Sequence, residues 1–340
     1  MLQYLFKRIL LALLTLLVIL FVSYLLIRLA PGDPTRSSFL GEGGEASSNL
    51  SGDKAAFTVN KSLREKLHLD KNPILGFLYW MKGVILKFDF GESATVDRGR
   101  PVVKVIMERL PITLKLNIIA TLLIYFFAIP IGIHSAVFSD TKMDKILTFF
   151  LFLLYSLPGF WTALILQALF CDGGYFPVFP LKWQNIGTEW GKSIFLIIFD
   201  DLLRYVLPVF CLSYAGFAGL SRFARSSMLE VIKKDYIKTA RAKGLPERIV
   251  IFKHAFRNAL ITMITLFAGL LPGLVAGSIF VEYVFNIPGM GYLSMMALSS
   301  RDIPLVMAIF AFGSFLTLAG IIISDILYVF ADPRINFEQR

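Results

Sequence analysis

The string Gly187-Thr188-Glu189-Trp190-Gly191-Lys192-Ser193 ends in the Gly-Lys-Ser with which phosphate-binding loops hold a nucleotide. That chemistry needs another glycine five places before the second one, so that backbone amides can wrap the phosphates. Ile186 stands there instead, and no apolar strand leads into the string, so the chain has no ATP site of its own. Cys171 and Cys211 lie in or beside apolar runs, with no Cys-x-x-Cys and no histidine at ligand spacing. They read as small buried side chains. His68, His134 and His254 are equally scattered, so no metal site is expected. There is no Gly-x-Ser-x-Gly elbow, no His-Glu-x-x-His and no paired catalytic carboxylates.

What remains is a handful of polar residues inside apolar runs: Asn117, His134, Gln167, Glu282 and Asp325. Such groups mark either a pathway or a paired structural site. Glu282 and His134 fall near the ends of their runs and are expected to be solvated at the membrane interface. Asp325 lies about one and a half turns inside the last run, within reach of Arg334 or of a basic loop. No series of carboxylates forms a proton relay, which argues against proton-coupled transport.

The elements that carry these residues follow from composition. Of 340 residues, 56% are hydrophobic and only 17% charged. A soluble domain of this size needs more charge to coat its surface, so the chain is an all-α polytopic membrane protein. A helix crosses the hydrocarbon with roughly 20 apolar residues. Six segments qualify: about Ile9–Leu29, Ile112–Phe138, Ile146–Phe170, Tyr205–Phe223, Ala259–Phe285 and Pro304–Phe330. The first follows Lys7 and Arg8 like a signal peptide. It is too long and Leu-rich for one, and ends at Arg28 and Pro31-Gly32-Asp33-Pro34 rather than at a cleavage site, so it is retained. Ile194–Phe199 is too short to cross and is expected to lie along the interface.

Basic residues set the orientation. With the N-terminus cytoplasmic, the inner segments hold Lys7, Arg8, Lys142, Lys145, ten bases from Arg222 to Arg257, Arg334 and Arg340. The short outer segments hold only Lys182, Lys192, Arg204 and Arg301, giving a roughly fourfold inner excess. The net charge of +10 therefore encodes topology rather than nucleic-acid binding. The expected organisation is an N-terminal helix (1–30), an extracytoplasmic loop (31–110) and a five-helix core (111–331). The core includes a cytoplasmic loop (222–258), and a cytoplasmic tail (332–340) follows. In the outer loop, 39–60 is rich in Gly, Ser and Glu. Pro73–Phe90 is aromatic and amphipathic, suited to lying on the membrane or to meeting a partner.

Breakers punctuate the spans. Pro130 and Gly132 interrupt the second, Pro158-Gly159 the third, Pro208 the fourth and Pro272 the fifth, and they are read as ordinary kinks, since Gly and Pro are commoner in membrane helices than in soluble ones. Gly269, Gly273 and Gly277 stand four apart, which on one helix is a tandem Gly-x-x-x-Gly face for close packing around Pro272 and, by extension, a moving interface.

The segment Asp235–Asn258 is basic and polar, yet rich in good helix formers. Over Lys233–Lys243, Tyr236, Ile237 and Ala240 form an apolar stripe. Gly244 supplies a helix stop, and Pro246-Glu247 suits the first turn of a second helix carrying Ile249, Val250, Phe252, Lys253 and Phe256. Helix, glycine turn and helix can slot into a groove of another protein, or rest on anionic headgroups. The residue types alone leave both open.

Thr239-Ala240-Arg241-Ala242-Lys243-Gly244-Leu245, followed by His254, Arg257 and Asn258, resembles the cytoplasmic "EAA" loop of ABC importer permeases of the dipeptide/oligopeptide family. The likeness runs along nearly the whole chain: Ala30-Pro31-Gly32-Asp33-Pro34, Phe88-Asp89-Phe90-Gly91-Glu92-Ser93, Arg109-Leu110-Pro111-Ile112-Thr113-Leu114, Arg225-Ser226-Ser227-Met228-Leu229-Glu230, Pro288-Gly289-Met290-Gly291 and Asp332-Pro333-Arg334-Ile335. Lys238 stands where the name-giving motif has an acid. Gly173-Gly174-Tyr175-Phe176, Phe179-Pro180-Leu181 and Asn336-Phe337-Glu338 are most similar to the branch that imports oligopeptides and the antibiotic microcin C.

The resemblance implies a type I importer permease fold and a "B"-type subunit in the inner membrane. It implies pairing with a second homologous permease and no cofactor bound by this chain. Two cytoplasmic ATPases use ATP and Mg, and an extracytoplasmic binding protein delivers peptide. Asp235, Tyr236, Thr239 to Leu245, His254, Arg257 and Asn258 are implied to dock an ATPase. Dipeptides, nickel or other small solutes are the alternative cargoes within the family, and an ion-coupled secondary transporter is the alternative outside it.

Overall fold

In hydrocarbon a backbone must satisfy its own polar groups, so long apolar runs coil into helices. The computed structural model describes residues 2–29, 72–181, 194–260 and 273–331. In order these form α1 (Leu2–Leu29), α2 (Pro73–Lys87), α3 (Val102–Val137), α4 (Lys142–Ser156), α5 (Gly159–Phe170), α6 (Ile194–Ile232) and α7 (Asp235–Ala242). Then come α8, which starts as Glu247–Ile249 and widens into a π-helical stretch, Val250–Phe256, followed by α9 (Gly273–Ala276), α10 (Ile279–Val284), α11 (Met290–Ser299) and α12 (Ile303–Ala331). Among the described residues there is no strand, only isolated bridges between Glu92 and Pro101 and between Cys171 and Phe179.

Among the described residues four helices are long and apolar enough to cross a bilayer: Phe6–Leu26, Val102–Val137, Leu202–Ile232 and Ile303–Ile326. The pair α4 and α5 meets the same standard as one span bent by 92°. Five of the six expected spans are thus found by position. The other, Ala259–Phe285, has its middle outside the described residues, together with Gly269 and Pro272. The Gly187–Ser193 string, the 39–60 stretch and Arg334 also lie outside.

The expected kinks do not all part their helices. Pro130 and Gly132 sit inside an unbroken α3, and Pro208 inside an unbroken α6. Among the described residues Pro158-Gly159 parts two helices, and there the Tyr214 hydroxyl donates to the freed Leu157 carbonyl at 2.7 Å. Ile194–Phe199 is not a separate interfacial piece but the first turns of α6. Gly132 has a packing role: a Cβ there would lie 2.5 Å from Ala224 Cβ and 2.6 Å from the Ser221 carbonyl. Gly132→Val is therefore expected to force α3 and α6 apart and cost about 3 kcal/mol. The check is a melting midpoint of the detergent-solubilised protein, with an unchanged value refuting the close approach.

The chain divides into two compact units. One contains Met1–Pro111 and Leu293–Ala319. In it, Pro73–Lys87 is a helix whose first amide is capped by Asn72 Oδ1 at 3.2 Å from Ile74 N. Its Phe77 is buried against Phe21 and Tyr24 of α1, with ring centroids 5.2 and 5.9 Å away. This amphipathic segment thus finds a partner within the chain. Asp302, fully buried, accepts from Ser93 Oγ at 2.6 Å, Thr95 N at 2.9 Å and Val96 N at 3.1 Å, which fixes the loop before α3.

The other unit contains Ile112–Tyr292 and Gly320–Arg340. One core cluster joins Leu116, Ala163, Leu207, Val281, Phe285 and both cysteines, which are buried and unbridged. The fifth span's described part is irregular. The chain leaves α9 at Gly277, with φ of +68°, and re-enters helix at α10, capped by Ser278. Gly273 and Gly277 therefore do not share one continuous helix face, and a Cβ on Gly273 would meet nothing within 4 Å.

Irregular backbone at membrane depth needs partners. Asn117 Nδ2 donates to Leu274 O at 2.7 Å and Gln167 Nε2 to Val284 O at 2.8 Å. Glu282 was expected at a solvated interface; it is instead 2% exposed. It accepts from Thr113 Oγ1 at 3.0 Å, Gly291 N at 2.7 Å and Tyr292 N at 3.1 Å.

Candidate functional site

The loop between α6 and the fifth span folds as helix, turn and helix. Asp235 occupies the positive end of α7, where an acid is favoured. Lys238 Nζ reaches Asp235 Oδ1 at 2.8 Å, and Thr239 Oγ1 donates to Asp235 O at 3.0 Å. The helix ends at Gly244, whose φ is +74°. Gly244 N donates to Arg241 O at 2.9 Å and Leu245 N to Ala240 O at 3.4 Å. This is the paired closure of a Schellman stop, which calls for a residue without a Cβ at the left-handed position. Pro246 sits just before the second helix, and Glu247 begins it. Arg241 spans the turn to Glu247 with contacts of 3.1 and 2.5 Å. The Glu247 carboxylate raises the Arg241 pKa above its ordinary value. Being half exposed, this pair orients the turn more than it stabilises it.

Burial divides the loop into an anchor and a face. Ile237 and Ala240 are buried with Val250, Ile251 and Ala255 of α8. They pack on Ile133 and Ala136 of α3 and Ala224 and Met228 of α6. Full burial of Ile237 is worth about 2 kcal/mol, so the loop is held from behind by its own unit. Ser227 Oγ adds a tie to Ala259 O at 3.4 Å.

The opposite side is exposed: Asp235, Tyr236, Thr239, Arg241, Ala242, Lys243, Gly244 and Leu245. Tyr236 was expected on the stripe of Ile237 and Ala240; it points outward, 47% exposed. With Leu245, Ile249 and Phe252 it forms an exposed apolar set beside the basic side chains. Ile249 and Phe252 belong to this face, although the sequence pattern gives them only a place on the second helix. The signal was available in their large apolar side chains, but the π-helical register that turns Val250, Ile251 and Ala255 inward was not legible. Of the outlying candidates, His254 is half-buried, while Arg257 and Asn258 are exposed. Asn258 Nδ2 donates to His254 O at 2.9 Å, back onto its own helix.

The Thr239–Asn258 pattern is thus built as a rigid turn with an open face, in a chain of membrane-crossing helices. The profile of the binding-protein-dependent transport system inner membrane component matches residues 128–337, and that family's N-terminal companion matches residues 1–117. The chain belongs to this family. Relatives in the family align end to end. The oligopeptide transport system permease protein AppB of Bacillus subtilis is 37% identical over 99% of this chain and 100% of its own length. The inner membrane ABC transporter permease protein YejB of Escherichia coli O157:H7 is 32% identical over 99% of both chains. The oligopeptide transport system permease protein OppB of Haemophilus influenzae is also 32% identical, over 99% of this chain and 100% of its own.

The fold is accordingly that of type I ABC importer permeases, and the chain is the multi-pass inner-membrane transport component rather than the catalyst. Membership implies a separate substrate-binding protein and separate ATPase chains. Among the described residues no cluster of three or more His, Cys, Asp or Glu is placed to hold a metal ion.

Proposed function

We propose that this chain is one permease subunit of an ATP-driven peptide importer, and that Asp235–Asn258 is where an ATPase subunit docks. One observation carries the docking role: the turn at Gly244 is pinned from behind by Ile237, Ala240 and Val250 while presenting Tyr236, Ala242, Leu245 and Ile249 outward. A buried anchor with an exposed apolar face transmits force; a loop that only rested on headgroups would need no such anchor. Movement of the docked ATPases then shifts the spans between inward-open and outward-open states. Both termini are cytoplasmic in this reading, a second homologous permease completes the pathway, and an extracytoplasmic binding protein delivers the cargo. The names of full-length relatives support peptide as that cargo.

The test is reconstitution of the complete complex with a panel of peptides of different lengths. Peptide-stimulated ATP hydrolysis, coupled to uptake, is expected. Uptake driven by an ion gradient without an ATPase would overturn the reading.

A further inference from the structure

Between α4 and the C-terminal half of α6 lies an open groove of about 1520 Å³, away from the docking face. Five bases line it: Lys145, Arg222, Arg225, Lys233 and Lys234. Two of them are engaged. Arg225 Nη2 is 2.8 Å from Asp144 Oδ2, a buried carboxylate that also accepts from Ser135 Oγ and Asp140 N. Lys234 Nζ is 3.2 Å from Glu230. Lys145, Arg222 and Lys233 are exposed, and among the described residues none of the three has a carboxylate within 4.0 Å.

These charges lie on the first turn of α4, on the last three turns of α6 and on the two residues that follow it. From there the wall turns aromatic. Phe149, Phe152 and Tyr155 follow one another along α4, each more than half exposed, inside the expected third span. A cationic mouth opening onto an aromatic wall within a membrane-crossing segment has the shape of an amphiphile: an anionic head at one end and apolar chains along the rest.

We propose that this groove holds an anionic phospholipid, its phosphate among Lys145, Arg222 and Lys233 and its chains along Phe149, Phe152 and Tyr155. A zwitterionic lipid would bring a second cation against three uncompensated bases and is disfavoured. The orientation proposed above enters only in naming the leaflet, which is the one facing the ATPases. The site lies where α6 leads into α7, beside the Arg225–Asp144 pair, so the lipid would brace the stem of the docking loop.

The experiment counts phosphatidylglycerol and phosphatidylcholine retained by the complete purified complex in native mass spectrometry. Wild type is compared with K145Q/R222Q/K233Q and with K7Q/R8Q/K87Q, which removes the same charge from bases that line neither the groove nor the docking face. Phosphatidylglycerol is expected to bind wild type and the control triple alike. The groove triple is expected to weaken it roughly fivefold per charge, about a hundredfold in all. If that triple fails to assemble, R222Q alone is read, with about fivefold expected.

Equal retention by the groove variant and wild type would overturn the proposal, as would equal loss from both triples. So would efficient cross-linking of a Phe152→Cys variant to the second permease, which would place a protein helix in the groove. Lipid retention is read without transport, so a failure of the peptide-import reading leaves this result interpretable.

Discussion

Gly244→Glu is expected to lower ATP-driven uptake at least a hundredfold while the protein still inserts and folds. The separation of the two effects follows from the geometry. A Cβ on Gly244 meets nothing within 4 Å, so the substitution meets no steric obstacle inside the chain. Its internal cost is the left-handed backbone at φ +74°, about 1–2 kcal/mol for a residue with a Cβ. The anchor behind the turn, Ile237 and Ala240 against Met228 and Val250, is untouched. The new carboxylate instead projects from the tip of the turn, beside exposed Leu245, where the proposed partner surface must close over it. Burying an unpaired charge there costs several kcal/mol, and 2.7 kcal/mol is already a hundredfold.

The measurements are uptake, ATPase retention on affinity purification, and thermal stability of the same preparation. Ala242→Glu, also on the exposed side, is expected to behave alike without any backbone strain. Retention of coupled uptake by both variants would sink the docking role. Ala240 is a poor probe despite its place in the same motif, because it is buried and a bulky residue there would disturb the anchor first.

The contrast between Ala240 and Ala242 marks how far the sequence could be read. Hydropathy placed the long spans, because twenty consecutive apolar residues admit few alternatives in a bilayer. The turn at Gly244 was legible for a similar reason: glycine after a run of helix formers, with proline two places later, has a local cause. Which side of α7 would face inward was only partly legible. Ile237 and Ala240 are three apart and point together, but Tyr236 has a polar tip and an apolar body, and its direction depends on what α3 and α6 offer behind it.

Local propensity marks Pro and Gly as kinks, and packing decides which of them part a helix. Pro130 and Pro208 sit in long helices that continue through them, whereas Pro158 parts two helices where Tyr214, 56 places later in sequence, supplies a hydroxyl to the freed carbonyl. The same limit applied to Glu282. Its position near a run's end suggested water, while the donors that hold it are Thr113 on α3 and two amides at the start of α11.

That arrangement gives the second large expectation, a loss of about 4 kcal/mol of stability in Glu282→Ala. The substitution strands the Thr113 hydroxyl and the Gly291 and Tyr292 amides, and each buried donor without a partner costs about 1–3 kcal/mol. It also removes an acid from the N-terminus of α11, where a negative charge is favoured. Glu282→Gln keeps one oxygen for the two amides, and its amide nitrogen can donate to Thr113 Oγ1, which already accepts from Met290 N at 2.7 Å. It should therefore lose less than half as much.

In heat-denaturation of the detergent-solubilised protein the alanine variant is expected to melt roughly 10 °C below wild type, with glutamine between. Thr113→Val supplies the partner arm of a double-mutant cycle: if the carboxylate acts through Thr113, the double variant loses clearly less than the sum of the two single variants. An alanine variant as stable as wild type would mean that water or neighbouring groups already satisfy these donors. Glu282 would then not be what holds the segment between Gly277 and Met290 in its broken form.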